Sequence, residues 1–205
     1  MLSEFLSFFQ LGFHHIVDVS ALDHVLFLIA LAVVYRPRDW RDALWVVSAF
    51  TVGHSITLAL AVTDTVALNE RIVEFLIPLT IVVTAAENLV VRDRVAKSAT
   101  RRYRPLIAGL FGLVHGAGFA GYLKSLFLEN IALPLAGFNV GIEVGQLVVL
   151  ALIAVALLLL DGVLAQLRTL AHSTRLPSVF GMRVIGVSMA IAVVASVWTV
   201  ERRPW

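Results

Sequence analysis

Nine ionisable side chains interrupt the apolar stretches of this 205-residue sequence. His14, His15, Asp18, Asp23 and His24 come close together, and His54, Glu87, His115 and Glu143 follow one at a time. Imidazole nitrogens and carboxylate oxygens form a donor set for borderline divalent cations. The chain has no cysteine and only Met182 and Met189 internally, so almost no soft sulfur is available for Cu(I). Such a set suits Ni, Co, Zn or Fe(II), with geometry deciding among them. A ligating imidazole must be deprotonated, so metal and protons would compete for these sites as pH falls through about 6.5.

The elements that must position these residues follow from composition. Hydrophobic residues make up 60% of the chain and charged residues 15%, against about 45–50% and 25% in soluble domains. That balance predicts an all-α membrane protein and excludes a disordered chain, a nucleic-acid binder and a disulfide scaffold. A span needs about 20 apolar residues, and six can be drawn over residues 13–35, 43–62, 74–91, 106–126, 136–160 and 183–200. They form one transmembrane domain, residues 1–205, with the lipid bilayer as its solvent. Twelve of the 16 Lys and Arg fall in the loops after the first, third and fifth spans. The positive-inside rule then puts those loops in the cytoplasm and both termini outside, as expected of a multi-pass protein of the cytoplasmic (inner) membrane. Residues 1–10 have no basic n-region and no cleavage site of a signal peptide, and read as an amphipathic lead-in to the first span.

Helical phase says which groups can converge. Asn139, Glu143 and Gln146 share one face of the fifth span, and Thr80, Thr84 and Glu87, with Asn88 beside them, share one face of the third. His54 lies in a stripe with Thr51 and Thr57. Rise per residue places His24, His54 and His115 at about 13–17 Å below the outer face, with Asp18 and Glu143 nearer to it and Glu87 deeper. A straight first helix cannot aim His15, Asp18, Asp23 and His24 at one point, so a break is predicted around Val19 to Leu22, with Ser20 serving freed backbone groups. No Lys or Arg joins these acids and histidines in the middle of the spans, Lys124 and Arg183 standing at span edges, which leaves protons, imidazolium and metal ions as partners for the buried acids.

Glycines add a packing expectation. Gly109, Gly112 and Gly116 line one side of the fourth span and Gly137, Gly141 and Gly145 line the fifth, so these two helices pack closely on each other or on a neighbour. A faint repeat pairs Phe50–Ser55 with Phe111–Gly116, each helix being followed by one with a mid-span Glu. Blander roles compete for single residues: His14 at the interface, Glu87 reaching toward Arg92 and Arg94, His172 in a loop, and Asp161 ending the fifth helix.

The segments GFHHIVDVSALDHVLFLIAL (Gly12 to Leu31), FTVGHSITL (Phe50 to Leu58), Glu87-Asn88-Leu89, FGLVHGAGFA (Phe111 to Ala120) and FNVGIEVGQL (Phe138 to Leu147) together resemble the HupE/UreJ family. The resemblance implies nickel or cobalt uptake, or metal supply to hydrogenase or urease. It maps the family's His and Asp-His motif onto His15, Asp23 and His24, its later His onto His115 and its Glu onto Glu143. The gap between His15 and Asp23 is longer than in many members.

The reading that joins these observations is a divalent-metal permease or metal-handling protein. Asp18 and Glu143 would attract the ion, Asp23, His24, His54 and His115 would bind it with His15, and Glu87 with Asn88 would offer an exit. Asn139 and Gln146 give polar support. One alternative is an intramembrane zinc hydrolase, with a His-bound metal and an acid as general base. Another is a non-transporting accessory subunit that meets a metalloenzyme or a second copy through outward-facing glycines. The chain carries no ATPase motif, so any pumping would draw on an ion gradient or another subunit.

Overall fold

The computed structural model describes residues 1–18, 22–66, 69–91, 98–126, 131–171 and 177–205. Within them are seven α-helices: α1 (Leu2–Val17), α2 (Leu22–Ala32), α3 (Trp40–Val62), α4 (Glu70–Val91), α5 (Ser98–Leu126), α6 (Ala132–Leu170) and α7 (Val179–Glu201). A single 3-10 turn, Pro37–Asp39, leads into α3. Helices α3 to α7 are long and apolar enough to cross a membrane, and the pair α1 and α2, bent by 67°, makes a sixth span if counted as one.

The first span is therefore two helices. Helix α1 begins at Leu2, well before residue 13, so the lead-in is part of it. It stops where Asp18 turns extended, at φ −65° and ψ 122°. Val19, Ser20 and Ala21 lie outside the described residues, as do Arg92, Arg94 and His172. Helix α6 also overruns its expected end, continuing through Leu170 for 39 residues, about 58 Å. Asp161 does not terminate it, because Arg183 pairs with that carboxylate at 2.6 Å and good helix formers follow. Helix α5 starts at Ser98, which brings Arg104 inside the bundle with 3% of its surface exposed.

Glycines set the packing. A Cβ on Gly53 would strike the carbonyl of Gly109, and one on Gly112 or Gly116 would strike the carbonyl of Phe50 or His54. Helices α3 and α5 thus lie backbone to backbone. The same holds for α1 and α6, where Gly12 meets the Phe138 carbonyl and Gly141 meets that of Phe9. Of the two packings expected for these glycine faces, each has taken a different neighbour, and neither turns to the other or outward. Phe27, Phe50, Phe138, Leu28 and Ile81 fill the core, while Leu152, Leu159 and Val193 remain exposed on α6 and α7, where lipid is the natural contact.

Candidate metal centre

His15 sits in the last turn of α1 and His24 in the first turn of α2. The bend between these helices brings the two rings to 4.6 Å. His54 on α3 completes a triangle, its ring 6.1 Å from each of the other two. One ring nitrogen from each of His15, His24 and His54 can be chosen so that all lie within 4.8 Å of one another. Around a tetrahedral ion bound at about 2.0–2.1 Å, such nitrogens sit roughly 3.4 Å apart, so small side-chain rotations suffice. Gly116 fixes the His54 corner, since its missing side chain lets α5 rest on the His54 carbonyl.

His115 on α5 lies beside this group, its ring 5.5 Å from that of His24. Its Nε2 is 2.9 Å from the Thr80 hydroxyl, which itself donates to the Ile77 carbonyl at 2.7 Å. A hydroxyl has one proton to give, so Thr80 accepts from His115 Nε2–H. The Nδ1 lone pair of His115 is then free, and that atom is buried without a partner. His15 Nε2, His24 Nε2 and both nitrogens of His54 are likewise buried and unpartnered. Native interiors rarely leave such groups unsatisfied, and unpartnered nitrogens on four neighbouring rings, three of them able to approach one another, mark a place for a ligand. Phe119 covers His15 at 4.0 Å, and Phe27 and Phe50 close the far side against His115 at 4.8 and 5.2 Å.

A cleft of about 450 Å³ reaches these imidazoles from the end where α4 begins and α7 finishes, lined by His15, His24, His115, Glu74, Asp23 and Arg202 among others. Asp23 faces Arg202, whose guanidinium nitrogens lie 2.9 and 3.4 Å from its carboxylate. Asp18 is exposed at the end of α1. Glu143 does not lead the way in: it accepts from the Ser48 hydroxyl at 3.0 Å. Ser48 precedes His54 on α3 by six residues, about 9 Å toward the end opposite the cleft. Gln146 takes the Thr51 hydroxyl on its Oε1, and its Nε2 is buried without a partner, as is Asn139 Oδ1.

Glu87 and Asn88 belong to a different cluster. Arg104 reaches Glu87 at 3.0 Å and gives both terminal nitrogens to Asn88 Oδ1 at 3.2 Å, while Asn88 Nδ2 donates to the Ala30 carbonyl near the end of α2. Arg183 similarly joins Asp161 to the Tyr35 carbonyl, 2.9 Å away. The expectation that the acids within the spans lack permanent cations is thus overturned for Glu87 and Asp23, which each have an arginine, as Asp161 beyond the fifth span also does. These arginines lie at helix ends, just beyond or at the edge of the spans drawn from hydropathy, and their long side chains turn inward to the acids. Arg104, Arg202, Glu74 and Phe119 are the residues that sequence reasoning passed over. Phe119, four residues after His115 and so on its face, carried a signal. The others carried none, because a charged residue at a span end, whether Arg104, Arg202 or Glu74, reads as belonging to the interface.

An all-α, multi-pass membrane bundle with a histidine cluster open to one side is the class that this fold and geometry define. Residues 1–202 match the family model for the HupE / UreJ protein, and the chain belongs to that family. No curated protein matches it. No solved structure does either.

Proposed function

We propose that this protein is a divalent-metal permease or metal-handling protein of the cytoplasmic (inner) membrane, with nickel or cobalt as the cargo that its family resemblance favours. His15, His24 and His54 hold the ion, His115 supplies a further nitrogen through Nδ1, and Asp23 and Glu74 concentrate cations at the mouth. The observation that carries this reading is the meeting of three imidazoles from three helices, with buried nitrogens that have no protein partner. The cleft on one side and the Phe27–Phe50 contact, 4.8 Å between rings, on the other fit a carrier open to one face. Asp18, Glu143, Asn139 and Gln146 would act on the ion's path to or from the imidazoles rather than at its resting place.

Proteoliposome uptake of nickel and cobalt by the parent and by the His24→Ala and His54→Ala variants tests this. The parent accumulates metal and both variants lose uptake; variants that move metal as well as the parent remove the permease reading. The one-sided cleft also suits a hydrolytic zinc site with an open coordination position. Zinc-dependent hydrolysis by a parent that accumulates no metal would favour that second reading.

A further inference from the structure

A second cavity lies away from the histidines, on the lipid-facing side of α6. Its volume is about 350 Å³, and one wall is formed by Leu147, Leu150, Ala151, Ala154, Leu157 and Leu158. From Leu147 to Leu158 is about 16 Å along the helix, close to half of the roughly 30 Å of hydrocarbon. The two alanines hollow out a trough between leucines. Ala32, Ala43 and Leu44 form the facing wall. A groove that is apolar along its length and one leaflet deep has the dimensions of an acyl chain.

Its end is cationic. Arg36 and Arg183 line the groove beside Trp40, which is 55% exposed and stands where aromatic residues mark the bilayer interface. The Arg36 guanidinium is stacked 4.6 Å over Phe180, and among the described residues no carboxylate pairs with it. Arg183 is 2% exposed; its terminal nitrogens serve Asp161 and the Tyr35 carbonyl, but its Nε–H is buried without an acceptor. One free guanidinium and one orphaned donor at the mouth of an acyl-sized trough call for an anionic oxygen on a hydrocarbon tail. A helix from a second copy would fill the trough but leave both donors unmet.

We propose that this groove is a binding site for an anionic phospholipid from the leaflet that Arg36, Arg38 and Arg41 face, its phosphate on Arg36 and Arg183 Nε and one acyl chain along α6. The site is separate from the histidine cluster and does not depend on what that cluster binds.

Native mass spectrometry of the full chain in detergent, with phosphatidylglycerol and phosphatidylcholine of the same acyl chains, is the test. The parent should retain phosphatidylglycerol about tenfold better, because the choline cation opposes the two arginines, and Arg36→Ala should erase that preference by lowering phosphatidylglycerol retention far more than that of phosphatidylcholine. Ala154→Phe, with Ala151→Leu as a milder filling variant and circular dichroism to establish folding, should lower retention of both lipids. Equal retention of the two lipids by the parent, or an undiminished preference in Arg36→Ala, overturns the proposal. So does competition by soluble glycerol phosphate as effective as that by the lipid, which would make this an anion site without a chain. A folded Ala154→Phe protein that changes from dimer to monomer with lipid retention intact would make the groove an interface between copies instead.

Discussion

Below the cleft that opens where α4 begins, four neighbouring imidazoles carry ring nitrogens that have no partner; near the end where α4 finishes, Glu87, Asn88 and Arg104 answer one another. Both groups are polar, buried and drawn from several helices. The second leaves over only Glu87 Oε1 and Arg104 Nε, and its remaining bonds tie α5 to α4 and α4 to the last turn of α2. Its chemistry is used up in holding helices together. The first has its lone pairs still to spend, although Thr80 already anchors one ring. Unmet bonding capacity, rather than polarity or depth, separates a binding site from a structural clamp in this membrane protein.

That contrast breaks most readily at Arg104. Replacing it by Met strands the Glu87 carboxylate, and leaving one member of a buried pair costs about 3–5 kcal/mol. Arg104→Met should therefore lower thermal stability in detergent sharply while leaving metal affinity per folded molecule unchanged, as read by isothermal titration calorimetry. A loss of affinity without a loss of stability would make the inner cluster part of the metal path.

Gly116→Ala tests the histidine side through the backbone. Its Cβ would meet the His54 carbonyl, so α3 and α5 must separate, with an overpacking cost of about 1–3 kcal/mol and displacement of His54. Gly186→Ala is the control, since a Cβ there meets nothing within 4 Å. The first should weaken both folding and metal binding and the second neither, as judged by melting curves and titration together.

The most local effect is expected at Thr80, on metal affinity and not on folding. Thr80→Val removes the acceptor for His115 Nε2–H and frees the ring to rotate, which typically costs 10- to 100-fold in metal affinity. Thr80→Ser keeps the hydroxyl and should retain affinity. If valine and serine behave alike, His115 is not oriented by this bond and its Nδ1 is not a donor to the ion.

Much of this arrangement is written along the chain. Runs of about 20 apolar residues require helices in lipid, because no other local structure satisfies the backbone there. The glycines at i+4 spacing announced close approach, and the conflict of phase between His15 and His24 required a bend. Membership of the HupE/UreJ family was legible in five short segments. Helix ends were not: hydropathy stops at the first charge, yet Asp161 stays within α6 because Arg183 comes to it from 22 residues away.

The same limit governs the site. His24, His54 and His115 could be placed at similar depths from rise per residue alone, since depth is a property of a single helix. Which neighbour each glycine face would meet, which acid an arginine would reach, and that Glu143 would turn to Ser48 rather than to the imidazoles depend on rotation and pairing between helices. Those choices were made when α3 settled on α5 and α1 on α6 through backbone contacts at glycine. The run of apolar residues determined which segments would lie in lipid, because their backbones must be satisfied there; packing between distant segments decided which polar groups found partners and which were left with nitrogens to offer.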